Sequence, residues 1–168
     1  MRLFLLMLAA LVPAVPALAA ETPELQRAVG APQAVGAVHT LRQIPEACAR
    51  LEGAFTGQAA EPYRFSAVRT SEQCQPRARF VDAAKAKPST AAGWVFNDLI
   101  RVPSAACASQ QAVVRVWRKP TSVAPPKLDG QGRSRVYLDD QRKAAAAGSL
   151  AKVPMYAAIM AVEGQPCR

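Results

Sequence analysis

Four cysteines, Cys48, Cys74, Cys107 and Cys167, are scattered along this chain of 168 residues, and no two of them form a CxxC pair. Zinc knuckles and thioredoxin-like redox sites need cysteines two residues apart, so no metal site or redox pair is expected. Long-range cross-links are. In an oxidising compartment these thiols pair into two disulfides, each closing a long loop and contributing about 3 to 4 kcal/mol on a chain-entropy estimate. Three connectivities are open from sequence. The preferred one joins Cys74 to Cys107 and leaves Cys48 to tie down Cys167.

Oxidation implies export, and the amino terminus has the pattern for it. Met1-Arg2 supplies a positive start, Leu3 to Val12 is apolar without interruption, and Pro13 and Pro16 precede the small residues Ala17-Leu18-Ala19. Residues 1–19 therefore read as a secretory signal peptide, with the mature chain starting at Ala20. A spanning helix needs about 20 apolar residues, and the prolines cut this run short. The later run Met155 to Val162 is shorter still, so the mature chain is expected to be soluble, in the periplasm or secreted.

The chain has 21 Lys and Arg against 12 Asp and Glu, a formal charge of +9. Without Arg2 the mature part keeps 20 against 12, or +8. Such an excess favours anionic partners outside the cytoplasm: an envelope glycan, a lipid head group or an acidic protein surface. Nucleic acid would satisfy the charge, but no motif supports it.

Along the chain, residues 20–43 read as a flexible leader. Gly30, Pro32 and Gly36 interrupt it, and it lacks bulky residues to offset ordering entropy. A disulfide-stapled domain is expected over 44–168. Ala47, Cys48, Leu51 and Phe55 fall at helical spacing, which predicts a short helix over 45–53. Alternation predicts strands over 63–69 and 77–81, and 85–93 reads as a loop. The strand over 94–102 is expected to put Trp94, Phe96, Asp98 and Ile100 on one face.

Further strands are expected over 112–119 and 134–138, the first followed by a Pro- and Gly-rich loop over 121–132. Asp139-Asp140 starts a helix over 139–147 as capping carboxylates. The last strand, 153–162, is apolar on both faces, as a central strand is. The expected fold class is α+β: one small domain, mainly antiparallel sheet with two short helices and two disulfides.

Catalytic chemistry finds little footing. His39 is the single histidine, sits beside the leader and reads as a solvated side chain. Serine and cysteine nucleophiles usually need a positioned histidine base, and one histidine cannot anchor a metal cluster. No cofactor motif is present. Asp98, if buried, requires an arginine partner; otherwise a bulge or strand end leaves it in water.

The strongest functional signal is basic. Residues 101–135 hold Arg101, Arg115, Arg118, Lys119, Lys127, Arg133 and Arg135 against Asp129 alone. Arg115, Trp117 and Lys119 alternate onto one strand face, and Arg135 with Tyr137 would repeat the pattern on a neighbour. Cations flanking an aromatic plane can grip phosphates while stacking on a sugar or base. The competing reading buries Trp117 and lets the cations snorkel around it. Three functions are compatible with these residues. The first is a non-enzymatic envelope or secreted protein that binds an anionic partner through this face. The second is an inhibitor or accessory subunit acting through the 121–132 loop. The third is a histidine-independent hydrolase using Asp98, Glu61 and Arg101.

Overall fold

The segment Ala49–Phe55 alternates buried Ala49, Leu51, Gly53 and Phe55 with half-buried neighbours, the period of a strand with one face on a core. In the computed structural model, which describes residues 21–74, 76–122, 130, 143, 147 and 153–167, this segment is β2. It pairs antiparallel with β1 (His39–Ile44) and β3 (Tyr63–Arg69) in a three-stranded sheet of order β1-β2-β3. The expected helix over 45–53 is thus corrected. Pro45–Ala47 makes one 3-10 turn, Cys48 adopts the left-handed conformation at φ 50°, and the chain leaves as β2. Leu51 and Phe55 fit both periods, and pairing with strands on both sides selects the shorter one.

A second sheet has the order β4-β7-β6-β5. Its members are β4 (Arg79–Phe80), β5 (Val95–Pro103), β6 (Gln110–Lys119) and β7 (Met155–Gly164). β5, β6 and β7 pair antiparallel, while β4 joins β7 in parallel through two residues. The one α-helical turn, α1 (Ala83–Ala86), is capped by Asp82, whose carboxylate accepts from the Ala84 amide. The fold is therefore one small, mostly antiparallel unit with short helical turns and two disulfides.

Both sheets contribute to the main core, with Ile44, Leu51, Phe55 and Tyr63 from one and Ile100, Val114, Val116 and Tyr156 from the other. Each such side chain contributes about 1.5 to 3 kcal/mol by leaving water. A second cluster of Trp94, Phe96, Trp117 and Ala157 lies on the opposite face of the four-stranded sheet, with Ala83 and Ala86 of α1 packed on it. Two clusters explain why β6 and β7 are apolar on both faces.

The disulfides join Cys48 to Cys74 and Cys107 to Cys167, with Cα separations of 5.8 and 5.6 Å, and so correct the expected pairing. Strand register decides this. Ala49 opposite Arg69 brings the start of β2 to the turn after β3, where Cys74 sits. Gln110 opposite Gly164 does the same for Cys107 and Cys167 at the other sheet.

Residues 21–36, read from sequence as part of a loose leader, run as a strap along the edge of β5. The amides of Glu24, Leu25, Gly30 and Gln33 donate to the carbonyls of Phe96, Asn97, Arg101 and Pro103 at 2.8 to 3.0 Å. The strap then crosses to the other sheet, where the Gly36 amide donates to Phe55. It covers backbone groups that an edge strand would otherwise expose. The expected domain start at 44 falls at the end of β1. The signal peptide, the 134–138 strand, the 139–147 helix except 143 and 147, and most of the 121–132 loop lie outside the described residues. Among the described residues, no helix is long and apolar enough to cross a membrane.

Candidate functional site

A bulge in β5 between Phe96 and Asp98 determines which side chains share a face of the four-stranded sheet. Phe96 pairs with Trp117 and belongs to the outer cluster, whereas Asp98 pairs with Val116 and points inward. The expectation that Asp98 shares a face with Trp94 and Phe96 is corrected by that extra residue, which shifts the alternation by one. The same shift carries Leu99 and Arg101 outward to join Arg115, Trp117 and Lys119. In register, Arg115 lies between Leu99 on β5 and Ile159 on β7, and Ile159 is 41% exposed.

Trp117 itself is buried at 6% exposure and stacks on Phe96 with ring centroids 5.1 Å apart. It is a core residue and not an open stacking platform, and its indole N–H finds no acceptor among the described residues. Lys119 Nζ lies 5.9 Å from the centre of the Trp94 ring, within cation–π range. Arg115 donates to Glu163 at 3.3 Å on the surface. Arg118 points to the other face of the sheet, where it donates to Glu24 at 2.6 Å, so it does not belong to the face that carries Arg115 and Lys119. Arg135 and Tyr137 lie outside the described residues.

Inward from the bulge, a chain of polar contacts begins at Asp98, whose side chain is fully buried. Arg27 of the strap donates through Nε to both carboxylate oxygens at 3.0 Å, and Arg42 of β1 approaches Oδ2 at 3.2 Å. Arg42 also donates to Asn97, and Asn97 donates to Glu24 at 2.7 Å. Strap, β1, β5 and β6 thus meet in one network. Burial pushes the Arg42 pKa down, against the pull of Asp98. The Arg118 hydrogen bond holds the Glu24 carboxyl below its ordinary value, outweighing the opposing effect of burial, and Glu24 in turn raises Arg118. Sequence reasoning anticipated an arginine for a buried Asp98 but had no signal for Arg27 or Glu24, which sit in a stretch of leader-like composition.

His39 is half-buried and bonded at both ring nitrogens, which corrects its reading as a solvated side chain. The Ala37 carbonyl, 3.1 Å from Nδ1, can only accept, so Nδ1 bears hydrogen and Nε2 is free to accept from the Tyr63 hydroxyl at 2.8 Å. Burial raises the Tyr63 pKa, keeping that donor protonated. The residues considered for hydrolysis do not assemble: Glu61 pairs with Arg64 on the surface, and both Asp98 oxygens face guanidinium groups. Among the described residues, no group of three or more His, Cys, Asp or Glu could hold a metal ion. No family model, curated protein or solved structure matches the chain.

Proposed function

We propose that this is an exported, non-enzymatic protein that binds an anionic partner through the outer face of its four-stranded sheet. The partner is an acidic glycan, a lipid head group or an acidic protein surface met in the periplasm or outside the cell. Export is supported by the apolar leader ahead of Ala17-Leu18-Ala19 and by two disulfides, which persist where thiols are oxidised. The observation that carries the binding reading is the alignment of Arg115 between Leu99 and Ile159, with Arg101 and Lys119 on the same face. Cations around an exposed apolar residue suit a partner that offers both negative charge and a hydrophobic group. Trp117 contributes a rigid floor beneath these cations and no direct contact.

Reversing charge at Arg115 and Lys119 tests this reading, because both side chains are partly exposed, Arg115 beside Glu163 and Lys119 over the Trp94 ring. The double variant R115E/K119E is expected to fold and to bind anionic vesicles or an acidic polysaccharide at least tenfold more weakly. Parent binding is expected to fall with rising salt as exposed charges are screened. Binding indifferent to both changes would discard the proposal.

A further inference from the structure

β3 ends the three-stranded sheet, and its outer edge pairs with nothing among the described residues. Its ladder to β2 is bracketed by hydrogen bonds from the Thr56 amide to Pro62 and from the Thr70 amide to Cys48. Bonded pairs in an antiparallel ladder recur at every second residue. Arg64, Ser66 and Val68 therefore bond β2, while Phe65, Ala67 and Arg69 turn their amides and carbonyls outward. Other edges are guarded: the strap covers β5, a bulge breaks β1, and β4 has only two residues. β3 runs for seven residues in unbroken register without Pro, Gly or Lys.

A groove of about 540 Å³ lies along this edge, lined by Phe65, Ser66 and Ala67 on one side and by Phe80, Ala158 and Ile159 on the other. Consecutive strand residues point to opposite faces, so a groove that touches 65, 66 and 67 in turn meets the edge of β3. The inward side of the strand also opens here, since Tyr63 is buried, Phe65 half-buried and Ala67 exposed. Arg69, Arg79 and Lys85 lie within two positions of the lining residues Ala67, Phe80 and Ala84. All three are exposed, and none pairs with a carboxylate among the described residues. Asp82, the carboxylate in the lining, is occupied in capping α1.

We propose that β3 takes up an extended, acidic segment of a partner polypeptide as an added strand. Main-chain hydrogen bonds to Phe65 and Ala67 hold it, and its apolar side chains enter the groove against Phe65 and Phe80. The unpaired cations around the groove select an acidic segment. A second copy of this chain fits less well, because each copy carries +9 and β3 itself holds Arg64 and Arg69 and no acidic residue. The site is independent of the sheet-face reading, since neither Arg115 nor Lys119 lines the groove.

The test is to titrate the folded, oxidised protein with a short, end-capped probe peptide of alternating valine and glutamate. Saturable shifts and slowed hydrogen exchange are expected at the Phe65 and Ala67 amides, with exchange at Arg64 and Ser66 unchanged because those amides already bond β2. Two further probes carry N-methyl groups at the valines or at the glutamates. One of them is expected to bind at least about tenfold more weakly, because one set of amides faces β3. Ala67→Pro removes an outward amide and leaves the ladder to β2 intact, and it is expected to weaken binding as much. If that variant does not fold, the methylated probes decide alone. A probe with glutamine for glutamate should bind more weakly, by a margin that shrinks as salt is added. R115E/K119E is expected to leave the pattern of protected amides unchanged, so this proposal and the sheet-face reading fail separately. The proposal is overturned if Phe65 and Ala67 gain no saturable protection, if both methylated probes bind as the first does, if folded Ala67→Pro binds unchanged, or if the glutamine probe binds equally. Sedimentation that finds a dimer dissolved by Ala67→Pro would overturn it too, since the occupant would then be a second copy.

Discussion

The Nε–H of Arg27 reaches both carboxylate oxygens of Asp98 at 3.0 Å although 71 positions separate the two residues in the chain. That contact fastens the strap over the edge of β5 beside a second guanidinium, Arg42, which is only 12% exposed. Removing one partner of a buried ion pair leaves the other uncompensated, which costs about 3 to 5 kcal/mol.

Asp98→Asn is therefore expected to destabilise the protein by about 3 to 5 kcal/mol, because it strands Arg42. Arg27→Ala should cost less, since Arg27 is 42% exposed and Asp98 keeps Arg42. Urea denaturation of the two variants measures the order, and a larger loss for Arg27→Ala would refute this account.

Stability should also depend on pH through Glu24. Its carboxyl titrates below the ordinary 4.5 because Arg118 donates to it. A carboxyl with a folded pKa below its unfolded one stabilises the fold fully above the unfolded value, and that contribution is lost as pH falls through the folded value. Glu24→Gln is expected to be less stable than the parent at pH 7, and the gap is expected to narrow as pH falls below the unfolded value and through the folded one. A gap that stays constant into acid would remove the role assigned to this pair.

The two disulfides are expected to contribute unequally. Cys48–Cys74 spans 26 positions and Cys107–Cys167 spans 60. Loop-closure entropy makes them worth about 3.5 and about 4 kcal/mol. Peptide mapping without reduction should recover 48 with 74 and 107 with 167. Denaturation of the two double-serine variants should find the larger loss on opening the longer loop.

Gly53 has no room for a side chain, since an added Cβ would overlap the Tyr63 ring and hydroxyl. Gly53→Ala is expected to displace Tyr63, break its hydrogen bond to His39 and cost about 1 to 3 kcal/mol, as overpacking does. A melting temperature equal to that of the parent would show that this contact is looser than the structure has it.

Period-two alternation was enough to place β3, β5, β6 and β7 to within about two residues at each end, since a half-buried strand writes its facing into its own sequence. The apolar character of 153–162 on both faces likewise reported a strand with cores on two sides. The segment 45–53 misled because Ala47, Cys48, Leu51 and Phe55 satisfy a helix while Ala49, Leu51, Gly53 and Phe55 satisfy a strand. At the candidate site, alternation grouped Arg115 with Lys119. It could not reveal that Trp117 is buried or that Arg118 is neutralised by Glu24.

Composition and local pattern by themselves determined that four cysteines would cross-link a basic, strand-rich domain, because these properties depend only on residue type and near neighbours. Which cysteines meet, which face Asp98 occupies and where Arg27 lies were decided by strand register, one bulge and the path of the strap. Those are long-range relations. They are set by the packing of segments tens of residues apart, and no short stretch of sequence contains the information to specify them.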